Sequence, residues 1–536
     1  MFHTNFNEKL KEWSGCPIPP LYNPHINIAH VLLRSMKLFG SKIAQISDDS
    51  GVHLTFDEIR LKTIRAAQNL QNMGYQPKQV VGIMSENVPY LSSIVFASFS
   101  IGCPVNVLST VVEKPDVMRM LGITEPSVMI CDVKVYDLIK ECLNELKNNA
   151  RIFTFNGTKG DSQPIESLFT ETGTEESFVP AEVDGVNDVA AILCSSGTTG
   201  PFKGVCLSHA NIVAEITALN LCTSDDILLS NSSLQWISGH NTLLLGTISG
   251  VTRIITTQTF SPELHLRLIE KYKVTKIISV TYSMIALLKC RALSSTNLSS
   301  VKCYLIRGYK APYSLVNEFN TYLPNGQVVQ AYGLTEMSGV VAVNSTGTDS
   351  AGQVLSCFRF KIVDKDGIRC GYDTNGEICI KTPYTPLGYY RNKDLTSKAF
   401  DDEGFFLTGD IGFIDKNGNI HIIDRIKDLI AYEFEISPSE IEGFLIKSSE
   451  VKAVCVVGVL TELNIEVPAA VIIREKGSQI TEENICKMVE DNLVDYCKLR
   501  GGVYFVDEIP TTPSGKLLRR WCKETANELF KSKNSS

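Results

Sequence analysis

The run Cys194-Ser195-Ser196-Gly197-Thr198-Thr199-Gly200-Pro201-Phe202-Lys203-Gly204 gathers three glycines, four hydroxyl side chains and one lysine within eleven residues. Glycines let backbone N–H groups approach an anion, hydroxyls donate further hydrogen bonds, and Lys203 adds a point charge. That is the chemistry of a phosphate cradle. The run is not the common nucleotide P-loop, because Gly204 follows Lys203 where that motif has Ser or Thr. A flexible surface loop has a similar composition, so the run by itself leaves both readings open.

Four more segments carry groups suited to a nucleotide. Ala331-Tyr332-Gly333-Leu334-Thr335-Glu336 offers a ring to stack on a purine, a hydroxyl, and a hard carboxylate suited to Mg²⁺. Thr408-Gly409-Asp410 offers a carboxylate that can accept two hydrogen bonds from a ribose diol. Asp424-Arg425-Ile426-Lys427-Asp428 offers a guanidinium for a phosphate or a ribose oxygen. Pro513-Ser514-Gly515-Lys516-Leu517 places a lysine after a Pro/Gly turn. Taken singly, each also reads as ordinary structure: a strand-end turn with an aromatic plug, a cap, a solvated linker, a surface turn.

Something must bring these segments together. From about residue 54 to 330, short apolar runs such as Val80–Met84, Val128–Cys131, Ile227–Leu229 and Lys276–Val280 alternate with helical patterns. Repeated βα units predict parallel sheets with helices on their faces. Ligands in such sheets sit beyond the carboxyl ends of strands. The glycine loop follows the apolar run Ala190–Leu193 and precedes helical spacing over Ser208–Leu221, so a strand, a loop and a helix are expected. The segment Ala331–Glu336 is expected to follow a strand ending at Gln330. Over 340–424 strands shorten and Gly- and Asn-containing turns multiply, which predicts an antiparallel or barrel-like subdomain. Residues 425–536 hold material for a smaller α+β unit. The N-terminal forty residues carry little beyond an amphipathic helix over Ile28–Leu38.

The bulk numbers exclude some classes. The chain has 536 residues, 44% of them apolar and 21% charged, with a net charge of −8, which is ordinary for a globular enzyme and argues against a nucleic-acid partner. The sixteen cysteines are scattered without a Cys-x-x-Cys pair and read as reduced, mostly buried thiols of an intracellular protein. The N-terminus does not read as a secretory signal, and no run of about 18 apolar residues predicts a membrane span. The ending Lys533-Asn534-Ser535-Ser536 is not the Ser-Lys-Leu address, so a cytoplasmic location is expected over a peroxisomal one.

In their order and separations, the five segments resemble the adenylate-forming superfamily, with its acyl-CoA synthetases, 4-coumarate–CoA ligases and firefly luciferase. The resemblance runs from about Asn27 to Leu518 and rests on Ser195–Gly204, Tyr332–Glu336, and the stretch from Asn375-Gly376-Glu377 through Gly388-Tyr389-Tyr390 to Thr408-Gly409-Asp410 and Asp424-Arg425. Ser233-Leu234-Gln235-Trp236-Ile237-Ser238-Gly239 is most similar to insect luciferase-like acyl-CoA synthetases. The resemblance implies an AMP-binding domain over 1–424, with the barrel-like part at 340–424, and a mobile C-terminal lid over 425–536. It implies ATP, Mg²⁺ and CoA, with a fatty or aryl carboxylic acid as substrate, in a monomer or weak homo-oligomer. By the same resemblance, Ser195, Ser196, Gly197, Thr198, Thr199, Gly200 and Lys203 would grip the β- and γ-phosphates. Thr335 would contact the α-phosphate and Glu336 would hold Mg²⁺. Tyr332 and Gly333 would lie along adenine, with Asp410 on the ribose and Arg425 nearby. Lys516 would bridge the acyl carboxylate and the α-phosphate, and the lid would turn about Lys427. Trp236, Ser238, Gly239, His240, Tyr282 and Gly308 would line the acyl pocket.

Three departures stand out. Trp236 occupies the place of the family's usual His or other aromatic, and His240 is offset from it. Arg307-Gly308-Tyr309-Lys310-Ala311 keeps one glycine of the segment that runs along adenine. After Leu429-Ile430 the family's lysine and glycine are replaced by Ala431-Tyr432-Glu433-Phe434-Glu435, which would narrow the pantetheine tunnel or repel CoA phosphates. A CoA ligase therefore leads, beside a luciferase-like oxygenase, an adenylating paralogue with an impaired CoA step, and a non-catalytic nucleotide binder.

Overall fold

The computed structural model describes residues 3–195, 202–219, 222–345, 347–432, 435–461, 465–511 and 517–534. One seven-stranded sheet takes the order Lys203–Ser208, Val189–Ser195, Val105–Leu108, Val81–Met84, Val128–Asp132, Arg151–Phe155, Gln163–Pro164. All neighbours in it run parallel except the hairpin of Val189–Ser195 with Lys203–Ser208. Val81–Met84, Val105–Leu108 and Val128–Asp132 are buried throughout, and strands covered on both faces read as continuous apolar runs. The same reasoning accounts for Leu91–Ser100, a helix buried at every position.

A second sheet has fifteen strands. Its parallel part orders Ile43–Ser47, Thr252–Ile255, Ile227–Leu229, Lys276–Val280, Cys303–Arg307 and Gln327–Leu334. At Gly339–Asn344 the pairing turns antiparallel and stays so through Gly352–Val354, Asn419–Arg425, Phe406–Ile414, Gly376–Lys381 and Arg359–Val363. The change of sequence texture after 340 is thus a change of strand direction within one hydrogen-bonded sheet. The N-terminus extends that sheet: Asn5–Asn7 pairs with Glu12–Ser14, which pairs with Arg359–Val363. The helix expected over Ile28–Leu38 is found at Ile28–Phe39, and these two unexpected strands precede it. These three-residue strands are too short to show an alternating pattern.

The remaining unit has a three-stranded sheet, with Val451–Leu460 antiparallel to Glu466–Arg474 and Val503–Phe505 parallel to it. Pro438–Leu445 and Glu482–Asn492 cover one face through Ile441, Leu445, Ile485 and Val489, and Arg519–Asn534 covers the other through Cys522 and Ala526. Among the described residues no helix is long and apolar enough to cross a membrane.

Candidate active site

Strand register builds the first group. Ser195 and Lys203 are direct cross-strand partners, so the glycine loop closes a hairpin. Ser196, Gly197, Thr198, Thr199 and Gly200 lie outside the described residues. The strand–loop–helix expectation is corrected: the strand Lys203–Ser208 intervenes, and the helix is His209–Leu219. Val205-Cys206-Leu207 is a short apolar run that periodicity alone cannot assign. The new strand has a purpose in the site. The Cys206 N–H donates to the Gly388 carbonyl at 2.9 Å and the Tyr390 N–H to the Gly204 carbonyl at 2.8 Å, pinning Tyr389 between them. Gly388 has φ +75°, and a Cβ there would stand 2.3 Å from Thr396. The Tyr389 hydroxyl donates to Glu336 Oε1 at 3.0 Å, and Lys203 Nζ lies 5.3 Å from the centroid of its ring. Burial, and then the Glu336 carboxylate, push the Tyr389 phenol far above its ordinary value, so it keeps its proton and stays a donor. Sequence reasoning quoted Tyr389 within a motif but gave it no role.

The second group sits where the large sheet changes direction. The strand Gln327–Leu334 runs past Gln330, the end expected for it, and bulges between Tyr332 and Gly333. A Cβ on Gly333 would stand 2.2 Å from the Gly339 carbonyl oxygen, so glycine lets the strands close there. Thr335–Met337 then forms a single 3₁₀ turn. Asp410 is not at a turn or cap: it lies within Phe406–Ile414, directly opposite Arg425, which ends Asn419–Arg425 and so is no linker. The Asp410 carboxylate is 3% exposed, accepts from the Tyr332 hydroxyl at 2.6 Å and pairs with Arg425 Nε at 3.0 Å. Burial and then Asp410 hold the Tyr332 phenol protonated. Lys427 is held below the ordinary lysine value, chiefly by desolvation of its head and then by Arg425, with Lys203 also acting on it. Three cations thus share one field, as a polyphosphate site requires.

The residues expected around an acyl group are placed unevenly. Trp236 precedes the helix Ile237–Ile248 and packs against the cluster that holds Cys194 and Phe202 beside the loop. Ser238, Gly239 and His240 are buried in that helix, and a Cβ on Gly239 would stand 2.2 Å from the Ser233 carbonyl oxygen. His240 turns to Phe99, ring centroids 6.1 Å apart, and neither ring nitrogen has a partner among the described residues. Burial lowers it to about 4, so it is neutral and takes no part in the groups above. Gly308, at φ +111°, is exposed, and Tyr282 is 42% exposed.

Lys516 lies outside the described residues, but the base of its loop does not. Thr511 bridges to Leu517, the Leu518 N–H donates to the Pro510 carbonyl at 2.8 Å, and Arg519 pairs with Glu442 at 2.7 Å. Glu442 belongs to Pro438–Leu445, whose start is held by Asp424: its Oδ2 accepts from Ser437 Oγ at 2.7 Å and from the Ser439 N–H at 3.0 Å. One run of polar contacts therefore links the residue before Arg425 to the base of the Lys516 loop. Ile430–Ala431 pairs with Glu435–Ile436 in a short hairpin, whose Glu433 and Phe434 lie outside the described residues. Among the described residues no cluster of three or more His, Cys, Asp or Glu could hold a metal. Glu336 fits the other kind of magnesium site, in which one carboxylate and substrate phosphates share the ion.

The chain is similar to known proteins over most of its length. The AMP-binding enzyme family matches residues 32–390, and the AMP-binding enzyme C-terminal domain matches 440–516. A 4-coumarate–CoA ligase of Humulus lupulus is 28% identical over 522 residues, 94% of each chain. Of solved structures, ATP-bound MatB from Rhodopseudomonas palustris aligns with TM-score 0.83 at 25% identity, over 94% of this chain and 99% of that one. The luciferase-like enzyme from the nonluminescent mealworm Zophobas morio aligns with TM-score 0.72 at 27% identity, over 77% of this chain and 98% of that one.

Proposed function

The chain belongs to the AMP-binding enzyme family, and on that premise we propose that it is an AMP-forming acid–thiol ligase that activates a fatty or aryl acid and passes it to CoA. What supports this most is that Lys203, Tyr389 and Glu336 form one group and Tyr332, Asp410 and Arg425 another, with Lys203, Arg425 and Lys427 sharing one field.

The obstacle in such a reaction is charge. A carboxylate oxygen must attack an α-phosphorus surrounded by anionic oxygens, break its bond to the bridging oxygen and release pyrophosphate. Positioning and neutralisation do this work, and no protein nucleophile is needed. In this reading Ser195 to Gly200 and Lys203 hold the β- and γ-phosphates, Thr335 meets the α-phosphate, and Tyr332 with Gly333 lies along adenine. Asp410, fixed by Tyr332 and Arg425, takes the ribose hydroxyls. Tyr389 orients the Glu336 carboxylate, which would hold Mg²⁺ against the phosphates. The bound ion would supply further neutralisation. Lys516 bridges the acyl carboxylate and the α-phosphate as the bond forms. In the second half-reaction the CoA thiol gives up its proton, its sulfur attacks the acyl carbonyl, and AMP leaves with the electron pair of the broken bond. The unit after 425 would close for the first step and turn about Lys427 for the second.

One assay tests this reading. The protein is incubated with ATP, Mg²⁺, CoA and a panel of fatty and aryl acids, and pyrophosphate, acyl-CoA and light are followed. Pyrophosphate and acyl-CoA together are expected, and Lys516→Ala is expected to lose roughly a hundredfold or more of the first step. Pyrophosphate without acyl-CoA would confine the chain to adenylation, and light would favour an oxygenase. No pyrophosphate with any acid would sink the proposal.

A further inference from the structure

Most arginines drawn into the interior of this protein have an acid beside them. Arg425 pairs with Asp410, Arg519 pairs with Glu442, and Arg307 lies in the field of Glu215. Arg253 is different. It is half-buried and has no carboxylate partner among the described residues. Its Nη2 donates to Gln45 Oε1 at 2.6 Å, and Gln45 Nε2 in turn donates to the Pro89 carbonyl at 2.7 Å. A Cβ on Gly246 would stand 2.9 Å from Arg253 Cδ, so glycine there makes room for the arginine stem. Burial alone lowers the guanidinium to about 10, with no neighbouring acid to raise it. A desolvated cation without a counter-charge is costly, and buried charges are ordinarily paired.

Beside this cation is a space. Arg253 lines a cavity of about 20 Å³ together with Asn87, Ser230, Ser232, Gly239 and Thr242, and no acidic residue among the described ones lines it. A cavity of that size has room for one water or one chloride-sized ion, and too little for a chain that carries a carboxylate. Ser230 follows the strand Ile227–Leu229, so the cavity lies beyond the carboxyl end of a parallel strand, where sheets of this kind take ligands. Ser230 and Ser232 bring hydroxyl donors. Gly239 is in the first turn of Ile237–Ile248, whose N-cap Trp236 makes no side-chain cap bond, so the positive end of that helix adds to the field of Arg253. We propose that this cavity binds a small inorganic anion of the halide class, chloride above all. The anion neutralises Arg253 and ties the start of Ile237–Ile248 to the strand Thr252–Ile255.

The test uses full-length protein, without substrate, in sodium gluconate, whose anion is too large for the cavity. Sodium chloride then replaces gluconate stepwise at constant ionic strength while the melting temperature is followed. A ligand bound only by the folded chain stabilises it with the logarithm of its concentration above the Kd, so a rise of about 2 °C or more is expected. Arg253→Met keeps most of the stem and removes the charge, and it should lose the rise. Arg253→Lys should keep part of it. Crystals of the unaltered protein grown in sodium bromide should show an anomalous scattering peak beside Arg253, and this measurement decides the matter if the Met variant does not fold. Equal melting in chloride and gluconate, an undiminished chloride response in the folded Met variant, or bromide missing from the cavity would each overturn the proposal and leave the space to a water. The ligase reading stands or falls separately, on pyrophosphate release.

Discussion

The proposed nucleotide side and the buried region between the helices His209–Leu219 and Ile237–Ile248 treat polar groups in opposite ways. On the nucleotide side, both Asp410 oxygens are engaged, at 2.6 and 3.0 Å, and Glu336 receives the Tyr389 hydroxyl. These partners are fixed by cross-strand register and by backbone bonds between neighbouring strands. In the region between those helices, Glu215 Oε2, Asn241 Oδ1, Trp236 Nε1 and both His240 nitrogens are buried without partners among the described residues. A charge-handling site gains from groups that need no rearrangement when the ligand arrives. Unpaired buried groups cost stability unless a ligand completes them. The two sides should therefore answer differently to pH and to mutation.

The largest contrast should come with acid. His209, His240 and His265 are each lowered to about 4 by burial. His209 Nδ1 accepts the Ile28 N–H at 3.2 Å, which a protonated ring nitrogen cannot do. A histidine depressed on folding leaves the unfolded chain binding more protons between about 4 and 6.5, so stability rises with pH there and is lost as pH falls through that window. The limit is roughly 3 kcal/mol per histidine. Glu215, raised to about 7, acts the other way and loses stability as pH rises from 4.5 to 7. Asp116 and Asp132, also raised by burial, act with Glu215, and the three deeply buried histidines outweigh them, so net loss on acidification is predicted, measurable as the urea midpoint between pH 7 and 5. His240→Phe should flatten part of that slope. An unchanged slope would mean that the buried histidines do not control it.

Asp410→Ala attacks the paired side. It removes the partner of Tyr332 and Arg425, and a buried charge pair broken from one end is costly. Arg425 is 33% exposed, so a loss of roughly 2 kcal/mol is expected, together with a raised KM for ATP. Glu215→Leu removes an oxygen without a partner but strands the Val340 N–H and Arg307, so a smaller loss than that from Asp410→Ala is expected in the same unfolding experiment. Equal losses from both variants would break the contrast.

How far each side was legible follows from the same difference. Asp410, Arg425, Tyr332 and Glu336 each read singly as ordinary structure, and it was their order along the chain, resembling a known family, that pointed to them. What the sequence hid was backbone pairing. Lys203–Ser208 looked like the approach to a helix, and only its bonds to Gly388 and Tyr390 show why Tyr389 belongs to the site. Glu215 left a trace as a lone charge in the apolar run Ile212-Val213-Ala214-Glu215-Ile216. Its meaning still depended on packing against Gly339, which no local pattern reports. The polar link from Asp424 to Arg519 joins segments too distant in sequence for any motif to connect.

That link gives the next prediction. Asp424→Ala removes the one oxygen, Oδ2, that accepts both bonds at the start of Pro438–Leu445. Loss of a helix-start acceptor costs about 1 to 2 kcal/mol. Because Glu442 of that helix holds Arg519 beside the Lys516 loop, adenylation should fall in kcat more than in the KM for ATP. Asp424→Asn keeps one acceptor and should recover part of the rate. A pure change in stability, with kcat intact, would reduce Asp424 to a structural cap.

Tyr389→Phe should have the smallest effect and is the sharpest probe of pairing. The substitution keeps the ring beneath Lys203 and removes only the 3.0 Å bond to Glu336. The backbone bonds that pin the segment through Gly388 and Tyr390 are untouched, so the fold should not respond beyond about 1 kcal/mol. Glu336 would then lose the donor that fixes its orientation. The expected result is a fall of about five- to tenfold in kcat/KM for ATP, with a higher Mg²⁺ concentration needed for half-maximal rate. A structural tyrosine would move the melting temperature and leave the magnesium dependence where it was. Tyr389→Leu, which also removes the ring beneath Lys203, should lose more than Phe does. If the two variants are equally impaired, the hydroxyl carries the whole contribution and the cation–π contact adds nothing.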